Sequence, residues 1–569
     1  MCDDNSKKSS LSRRNFLGSA VTLGAGAFLL DPVRALTEGI ADGVIQRAYA
    51  ESTGAVASRN YVNIQMSGAP LRYQFDQWLR TNTTDLAIEN GIVRKPDGSI
   101  ERKLNPMTCT AFTWLANGTV TPKMATTVFN NVLVPHLWSQ TVFNSAGAKR
   151  PLTELLQNML VVRGFGTGLD GHPFNLLAQQ APIGGVSTIT GIVAENTKTT
   201  FDSVQWPDRG DRGTYFSSQG KSQSKASGSA PLNSLMEGFG TPATTVARNL
   251  KTTYKDAMEL AQARLKTYAR SDNTGSKLVS LNMNNATDMM AKGVGNIASY
   301  WPAAVARYQA AIEKSMREIN IPGISEKAII SDESGSWTMG TGDLTVISKE
   351  YDVRLALASV SMQNFAQSLA LAEYLLKEGL AASIDLRADA LQSLMILQKG
   401  FTSQASKTLG LDMHGTGSNA AILFMNAYYR GLTAGILELK DQLGAARWEN
   451  TVVQIQGDFG RSARADGTGS DHGYNQMVTS AFSGAFTNGP IVVGNIKQSG
   501  SEEKYSGTQG LAAGIPGYNQ KGMPSPSMAA STITALLGAP HNPYANTAEP
   551  LVSLLNGRLS ALYPAKIVA

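Results

Sequence analysis

Five histidines occur in 569 residues, at positions 136, 172, 414, 472 and 541, and three of them stand one or two positions from an aspartate and next to a glycine. These are Asp170-Gly171-His172, Asp412-Met413-His414-Gly415 and Asp471-His472-Gly473; a further aspartate opens Asp458-Phe459-Gly460-Arg461. Carboxylates offset the charge of a divalent cation, neutral imidazole donates a nitrogen lone pair, and glycine lets loops approach closely. Mixed Asp and His on glycine-rich loops is therefore the donor set that a hydrolytic Zn, Mn or similar site requires. Each residue also has a plainer reading. An aspartate beside glycine commonly forms a turn, and a lone loop histidine commonly hydrogen-bonds at the surface. Competing chemistries are poorly served. Gly166-Thr167-Gly168-Leu169-Asp170-Gly171 has the glycine spacing of a dinucleotide loop, yet His172-Pro173 follows where the binding helix should begin, and only Glu195 stands near the place of the acidic residue. No complete phosphate-binding loop ending in Gly-Lys-Ser/Thr and no Gly-x-Ser-x-Gly elbow is present.

Such residues act together only if a rigid frame gathers them. Short apolar runs at Tyr61–Met66, Met159–Arg163, Ala381–Leu386, Thr451–Gln456 and Pro490–Gly494 read as strands, several of them ending in glycine turns. Ala257–Ala269, Ala303–Ile319 and Tyr351–Lys377 read as helices. Ile422, Met425, Tyr429, Leu432, Ile436, Leu439 and Leu443 recur at spacings that place them on one helical face, with Ser418 as the N-cap and Gly444 closing the helix. Strand, loop, helix and strand in this order predict an α/β fold, a mostly parallel sheet flanked by helices on both faces. Sites in such sheets form at the carboxyl ends of strands. Residues 51–200 and 351–569 would supply the two parts of this domain, with 201–350 a mainly helical insertion. Within it, the Ser- and Gly-rich stretch 217–231 reads as a flexible loop.

The N-terminus reads as an address. Ser12-Arg13-Arg14-Asn15-Phe16-Leu17 follows Lys7 and Lys8 in the order of a twin-arginine signal. The weakly apolar stretch Phe16–Leu30 is interrupted by glycines and is shorter than the roughly 20 residues a membrane span needs. Ala48-Tyr49-Ala50 offers a small-x-small cleavage site, with Val33-Arg34-Ala35 a weaker one. Residues 1–50 are thus expected to be a signal peptide read by the twin-arginine translocon, and the mature protein to be periplasmic or otherwise exported. Nothing after residue 50 is long and apolar enough for a stable transmembrane anchor. The net charge of +6 is spread without a long basic run, which argues against nucleic acid as a partner. Cys2 and Cys109 are the only cysteines. Because Cys2 lies in the signal, the mature chain has neither a disulfide nor a thiolate cluster.

Gly457-Asp458-Phe459-Gly460-Arg461, Gly469-Ser470-Asp471-His472-Gly473, Ser483-Gly484-Ala485-Phe486 and Ile491-Val492-Val493-Gly494 resemble the signature of a large bacterial group. That group comprises twin-arginine-exported proteins of unknown function related to sulfatases and alkaline phosphatases. Leu411-Asp412-Met413-His414 is similar to its Asp-x-His motif, and Gly171-His172 stands where the group usually has Ser-His. The resemblance is most specific over about 410–495. It implies an alkaline-phosphatase-like sheet, a divalent metal (Zn, Mn or Ca) and a small anionic ester as substrate. It further implies Asp412, His414, Asp458 and His472 as ligands, Asp471 as ligand or orienter, and Arg461 or Arg464 as the anion-binding residue. Three departures follow. The first strand ends in Ser67-Gly68-Ala69-Pro70, without the group's metal-binding aspartate, and Asp76 is the nearest one. Asp458 is followed by Phe459 where phosphatases and sulfatases have histidine, and Gly171 carries no hydroxyl. Two expectations therefore stand side by side: a metal-assisted hydrolase of anionic esters with a degenerate site and no assigned catalytic nucleophile, and a non-catalytic binding or structural protein on the same scaffold.

Overall fold

The computed structural model describes residues 58–81, 92–226, 300–331, 350–394, 406–497 and 510–568, with short interruptions. All belong to one compact unit, Thr53–Leu232 with Met289–Ala569. The residues read as a signal peptide, the expected helix Ala257–Ala269 and His541 lie outside the described residues.

Ten strands frame the centre of interest: β1 (Asn60–Met66), β2 (Met159–Phe165), β3 (Ser203–Trp206), β4 (Gln223–Lys225), β5 (Ser383–Arg387), β6 (Thr451–Gly457), β7 (Gly460–Ala463), β8 (Ser470–Gly473), β9 (Met477–Phe482) and β10 (Ile491–Val493). Eight of them make one sheet in the order β4-β3-β5-β1-β6-β9-β2-β10, while β7 and β8 pair as a separate hairpin. Within the sheet β9 runs antiparallel to β6 and β2, and every other pairing is parallel. All five strands read from the sequence belong to this sheet.

Helices cover both faces. They are α1 (His172–Gln180), α2 (Ile189–Glu195), α3 (Gln363–Lys377), α4 (Ser418–Glu449) and α5 (Pro526–Leu537). Tyr61, Leu160, Val162, Val452, Ala481 and Val493 gather with Ile189, Ile192, Ala529, Ile533 and Leu536 in one apolar cluster, so α2 and α5 lie on that face. Side chains alternate along a strand, so the buried Val62, Ile64, Val161, Val453 and Ile455 point the other way. There α3 packs on β5, α4 on β6, and the two helices on each other. With both faces covered, all seven residues of β6 are buried, although its sequence alternates polar and apolar. Its glutamines find partners inside the protein for their side-chain oxygens: Tyr61 Oη donates to Gln454, and Gln180 Nε2 to Gln456 Oε1 at 3.0 Å.

The structure departs from the expected elements in four places. Strand β9 reads as polar because of Thr479 and Ser480, whose hydroxyls bond inside the protein, Thr479 to Ile455 O and Ser480 to Asp76. Strands β3 and β4 extend the sheet into the stretch read as a helical insertion, and β4 lies inside the expected flexible loop. That loop is pinned, since Glu195 Oε1 accepts from the hydroxyls of Ser217 at 2.6 Å and Ser218 at 3.1 Å. The helix read across Tyr351–Lys377 is divided into a strand at Glu350–Asp352, a short helix at Val353–Ala358 and α3. Helix α4 has Gly417 rather than Ser418 at its cap, and Gly444 breaks it as expected, with φ 69° and ψ 169°, before a last turn to Glu449. Residues 300–317 are helical, as read. No helix among the described residues is long and apolar enough to cross a membrane.

Candidate metal centre

Parallel strands deliver their following loops to one edge of a sheet, and here β1, β2 and β6 do so. Beyond β1, the turn at Gly68 has φ 98°, a conformation that glycine adopts without strain. Its amide donates to Asp458 Oδ2 at 2.8 Å. A Cβ on Gly68 would stand 2.8 Å from the Asp412 amide nitrogen, so a bare backbone there lets the Asp412 segment approach. Beyond β6, Asp458 follows at once and is fully buried. Beyond β2, the glycine loop leads into α1, whose first residue is His172. A helix does begin at His172-Pro173, contrary to the sequence argument, because the first turn needs no amide hydrogen from proline. Asp471 and His472 lie on β8, with Arg461 opposite His472 and Ser462 opposite Asp471. They are thus strand residues of a hairpin, held in register, rather than loop residues.

Three imidazoles meet at this edge, and each has a carboxylate at Nδ1. Asp458 Oδ2 lies 2.5 Å from His172 Nδ1, Asp471 Oδ1 lies 3.3 Å from His414 Nδ1, and Asp170 Oδ1 lies 3.0 Å from His472 Nδ1. A neutral imidazole that donates from Nδ1 carries its lone pair on Nε2. The Nε2 atoms of His414 and His472 face each other, and those of His414 and His172 face Asp412. His414 Nε2 is 3.1 Å from His472 Nε2 and 3.2 Å from Asp412 Oδ1, and His172 Nε2 is 3.9 Å from Asp412 Oδ2. One ligand atom from each of His172, Asp412 and His472 lies within 4.8 Å of the others.

Two lone pairs facing at 3.1 Å repel each other unless a proton or a cation lies between them. Ligand bonds of about 2.0–2.1 Å at tetrahedral angles set ligand atoms about 3.3 Å apart. The separations around His414 match that spacing, whereas His172, 3.9 Å from Asp412 Oδ2 and grouped with His472 only within 4.8 Å, would have to move by on the order of an ångström to join the same cation. The ring of Phe459 lies 4.1 Å from that of His472 and 4.7 Å from that of His172. An apolar ring thus packs against two of the imidazoles.

Electrostatics support the same assignment of roles. The hydrogen bond to Asp458 raises the His172 pKa above its usual value, against the opposing effect of burial. Burial would raise the Asp412 carboxyl, but Arg461, His414 and His172 outweigh it and hold the group below the usual range. Asp471 is held down in the same way against burial, by Arg464 and His414. The hydrogen bond from His472 does this for Asp170.

The structure thus brings together Asp412, His414 and His472 as facing donors, with Asp458 and Asp471 behind histidines as orienting carboxylates. His172 and Asp170 complete the cluster and were missing from the ligand set implied by the resemblance. The signal was present, because Asp170-Gly171-His172 repeats the pattern of the other two segments. Arg461 has a fully buried side chain. It donates through Nε to Ala69 O at 2.7 Å and through Nη2 to Gly68 O and Asp412. Arg464 Nη2 lies 2.9 Å from Asp471 Oδ1. Both expected anion-binding residues are therefore engaged with site carboxylates. Asp76 is bound to Arg72 and Ser480 in the core, so the first strand supplies backbone atoms and no ligand. His136 sits on a short helical turn with its Nδ1 3.1 Å from Ser139 Oγ, outside this cluster.

The turn at Gly68 gives one test. Gly68→Ala is expected to cost about 1–3 kcal/mol through backbone strain and to weaken divalent-cation binding by displacing Asp412. Thermal unfolding and metal titration check both effects, and an unchanged protein would contradict this role for the turn. No family model, curated protein or solved structure matches the chain, so the assignment of this centre rests on its own residues.

Proposed function

We propose that the chain is an exported, divalent-metal-dependent hydrolase of a phosphate or sulfate ester, built on an alkaline-phosphatase-like scaffold. The observation that carries the reading is the convergence of three Nδ1-anchored imidazoles on Asp412. Nitrogen-rich donors suit zinc, with manganese next, better than calcium, which takes oxygen ligands. A divalent cation bound there supplies Lewis-acid polarisation of an ester oxygen. The protein's own groups do the rest. Asp458, Asp170 and Asp471 hold the rings in the tautomer that leaves Nε2 free. Arg461 and Arg464 offset two of the four carboxylates of Asp170, Asp412, Asp458 and Asp471. The remaining excess of two negative charges disfavours an anionic ester until a divalent cation balances it, so anion binding should require metal.

A second reading, a non-catalytic binding protein, is favoured by one observation. Gly171 lacks a hydroxyl and adopts φ 106°, which disfavours any side chain there. One experiment separates the two. Zinc-loaded protein is expected to hydrolyse 4-nitrophenyl phosphate or 4-nitrophenyl sulfate, and His472→Ala to abolish the turnover. Tight zinc binding with no turnover of either ester would replace the hydrolase reading by the second one.

Export rests on Ser12-Arg13-Arg14-Asn15-Phe16-Leu17. Replacing Arg13 and Arg14 together by lysine should leave an uncleaved precursor in the cytoplasm, as read by fractionation. Normal export of that variant would contradict the proposal.

A further inference from the structure

The loop that carries Asp170 to His172 also presents two large apolar side chains to solvent. Leu169 is 42 % exposed and Phe174 is 65 % exposed. They bracket the segment that supplies a carboxylate to His472 and the third imidazole. Phe174 turns back over this loop, its ring 3.3 Å from where a Gly171 Cβ would stand. The loop itself is held rigidly. Asn175 is fully buried, and its Nδ2 donates to Leu169 O at 2.9 Å and to Gly171 O at 3.0 Å. Its Oδ1 accepts the Thr167 hydroxyl. The Thr167 amide is fixed by Tyr474 O at 3.1 Å, and the Tyr474 side chain bonds to Asp170. The apolar pair is therefore displayed from a clamped platform beside a charged centre, where a polar rim would be the ordinary outcome. A backbone that is already clamped loses little further conformational entropy when a ligand covers the side chains it carries.

We propose that Phe174 and Leu169 form an apolar lip of the metal centre that takes an aryl or branched alkyl group of the substrate. The tetrahedral anion of that substrate faces the cation. This rests on the hydrolase reading for the position of the anion, and it narrows the substrate class from anionic esters in general to those with an apolar alcohol or phenol part. Polar esters such as sugar phosphates would leave the lip uncovered.

Binding of non-hydrolysable probes to the zinc-loaded full chain tests the lip separately from turnover. Benzylphosphonate is compared with methylphosphonate, and phenylmethanesulfonate with methanesulfonate, by calorimetry or competition. The expected result, in whichever pair binds, is a preference of about tenfold or more for the aromatic member, the scale of burying one large apolar group. Phe174→Ser should reduce that preference severalfold, and Leu169→Ser should reduce it less, both with zinc content unchanged. Both side chains are exposed, so neither substitution threatens folding. Equal binding of the two members, or a preference that survives both substitutions, overturns the lip while leaving the hydrolase reading intact. An aromatic preference lost in Phe174→Ser, in a protein that turns over neither nitrophenyl ester, keeps the lip and overturns hydrolysis. Failure of every probe to bind overturns the lip, and overturns the hydrolase reading with it only when neither nitrophenyl ester is turned over.

Discussion

Asp76→Ala should lower the unfolding free energy by about 3–5 kcal/mol, the scale for breaking a buried ion pair by removing one partner. Asp76 is fully buried and the Arg72 side chain is 2 % exposed. Arg72 Nε donates to Asp76 Oδ1 at 2.8 Å, Arg72 Nη2 to Asp76 Oδ2, and the Ser480 hydroxyl to the same oxygen. The pair ties the segment after β1 to β9, the antiparallel strand in the middle of the sheet. Burial works to lower the Arg72 pKa, but Asp76 outweighs it and raises it. A guanidinium cannot escape by losing its proton, so without Asp76 a charge stays buried beside the ring of Phe75, whose centroid is 5.5 Å away. Urea unfolding at constant m-value measures the loss. The double variant Arg72→Met with Asp76→Ala should recover much of it, because the unpaired charge is gone. A loss below about 1 kcal/mol in Asp76→Ala would contradict the account.

His172→Ala should weaken zinc binding by about two orders of magnitude or more, since changes merely behind a metal ligand already cost 10–100-fold. The effect carries a pH signature. The folded pKa of His172 is raised, so in the metal-free protein its pairing with Asp458 stabilises the fold fully below the ordinary histidine value of about 6.5. That contribution is lost as pH rises through the raised folded value. A cation competes with the proton for Nε2, so zinc affinity should rise with pH over the same window. In His172→Ala the remaining pH dependence should be shallower. Zinc titrations at several pH values check the slope. An affinity in the variant equal to that of the parent, with the same slope, would remove His172 from the ligand set.

How far the sequence revealed this arrangement can be argued from particular elements. Strands with β-branched apolar runs, such as Asn60–Met66 and Met159–Phe165, announce themselves because both faces of a covered sheet demand apolar residues. Met477–Phe482 was silent, because Thr479 and Ser480 read as solvent-facing until their internal partners are known. Strands of three or four residues such as Gln223–Lys225 carry too little pattern to detect, and a serine-rich composition conceals how many hydroxyls Glu195 gathers. The site was legible as residue types, since Asp-His pairs beside glycines are conspicuous in a chain with only five histidines. The division of labour was not. Whether an aspartate binds a cation or orients a histidine depends on which imidazole nitrogen it meets. For Asp458 and His172 that contact spans 286 positions. Arg461 was misleading for a related reason. Its type suits an anionic ligand, but its Nε and Nη2 are taken by Asp412 and the carbonyls of Gly68 and Ala69, and only the buried Nη1 is left without a partner.

The central claim is that three histidines and Asp412 hold one divalent cation. Anomalous diffraction from a zinc-soaked crystal of the protein tests it most directly. The account predicts a single strong peak about 2.0–2.1 Å from Nε2 of His172, His414 and His472 and about 2.0–2.2 Å from an Asp412 oxygen, with Asp458, Asp170 and Asp471 still on the Nδ1 atoms. No peak at this edge of the sheet, or zinc bonded instead to Nδ1 atoms or to Asp458, would contradict it.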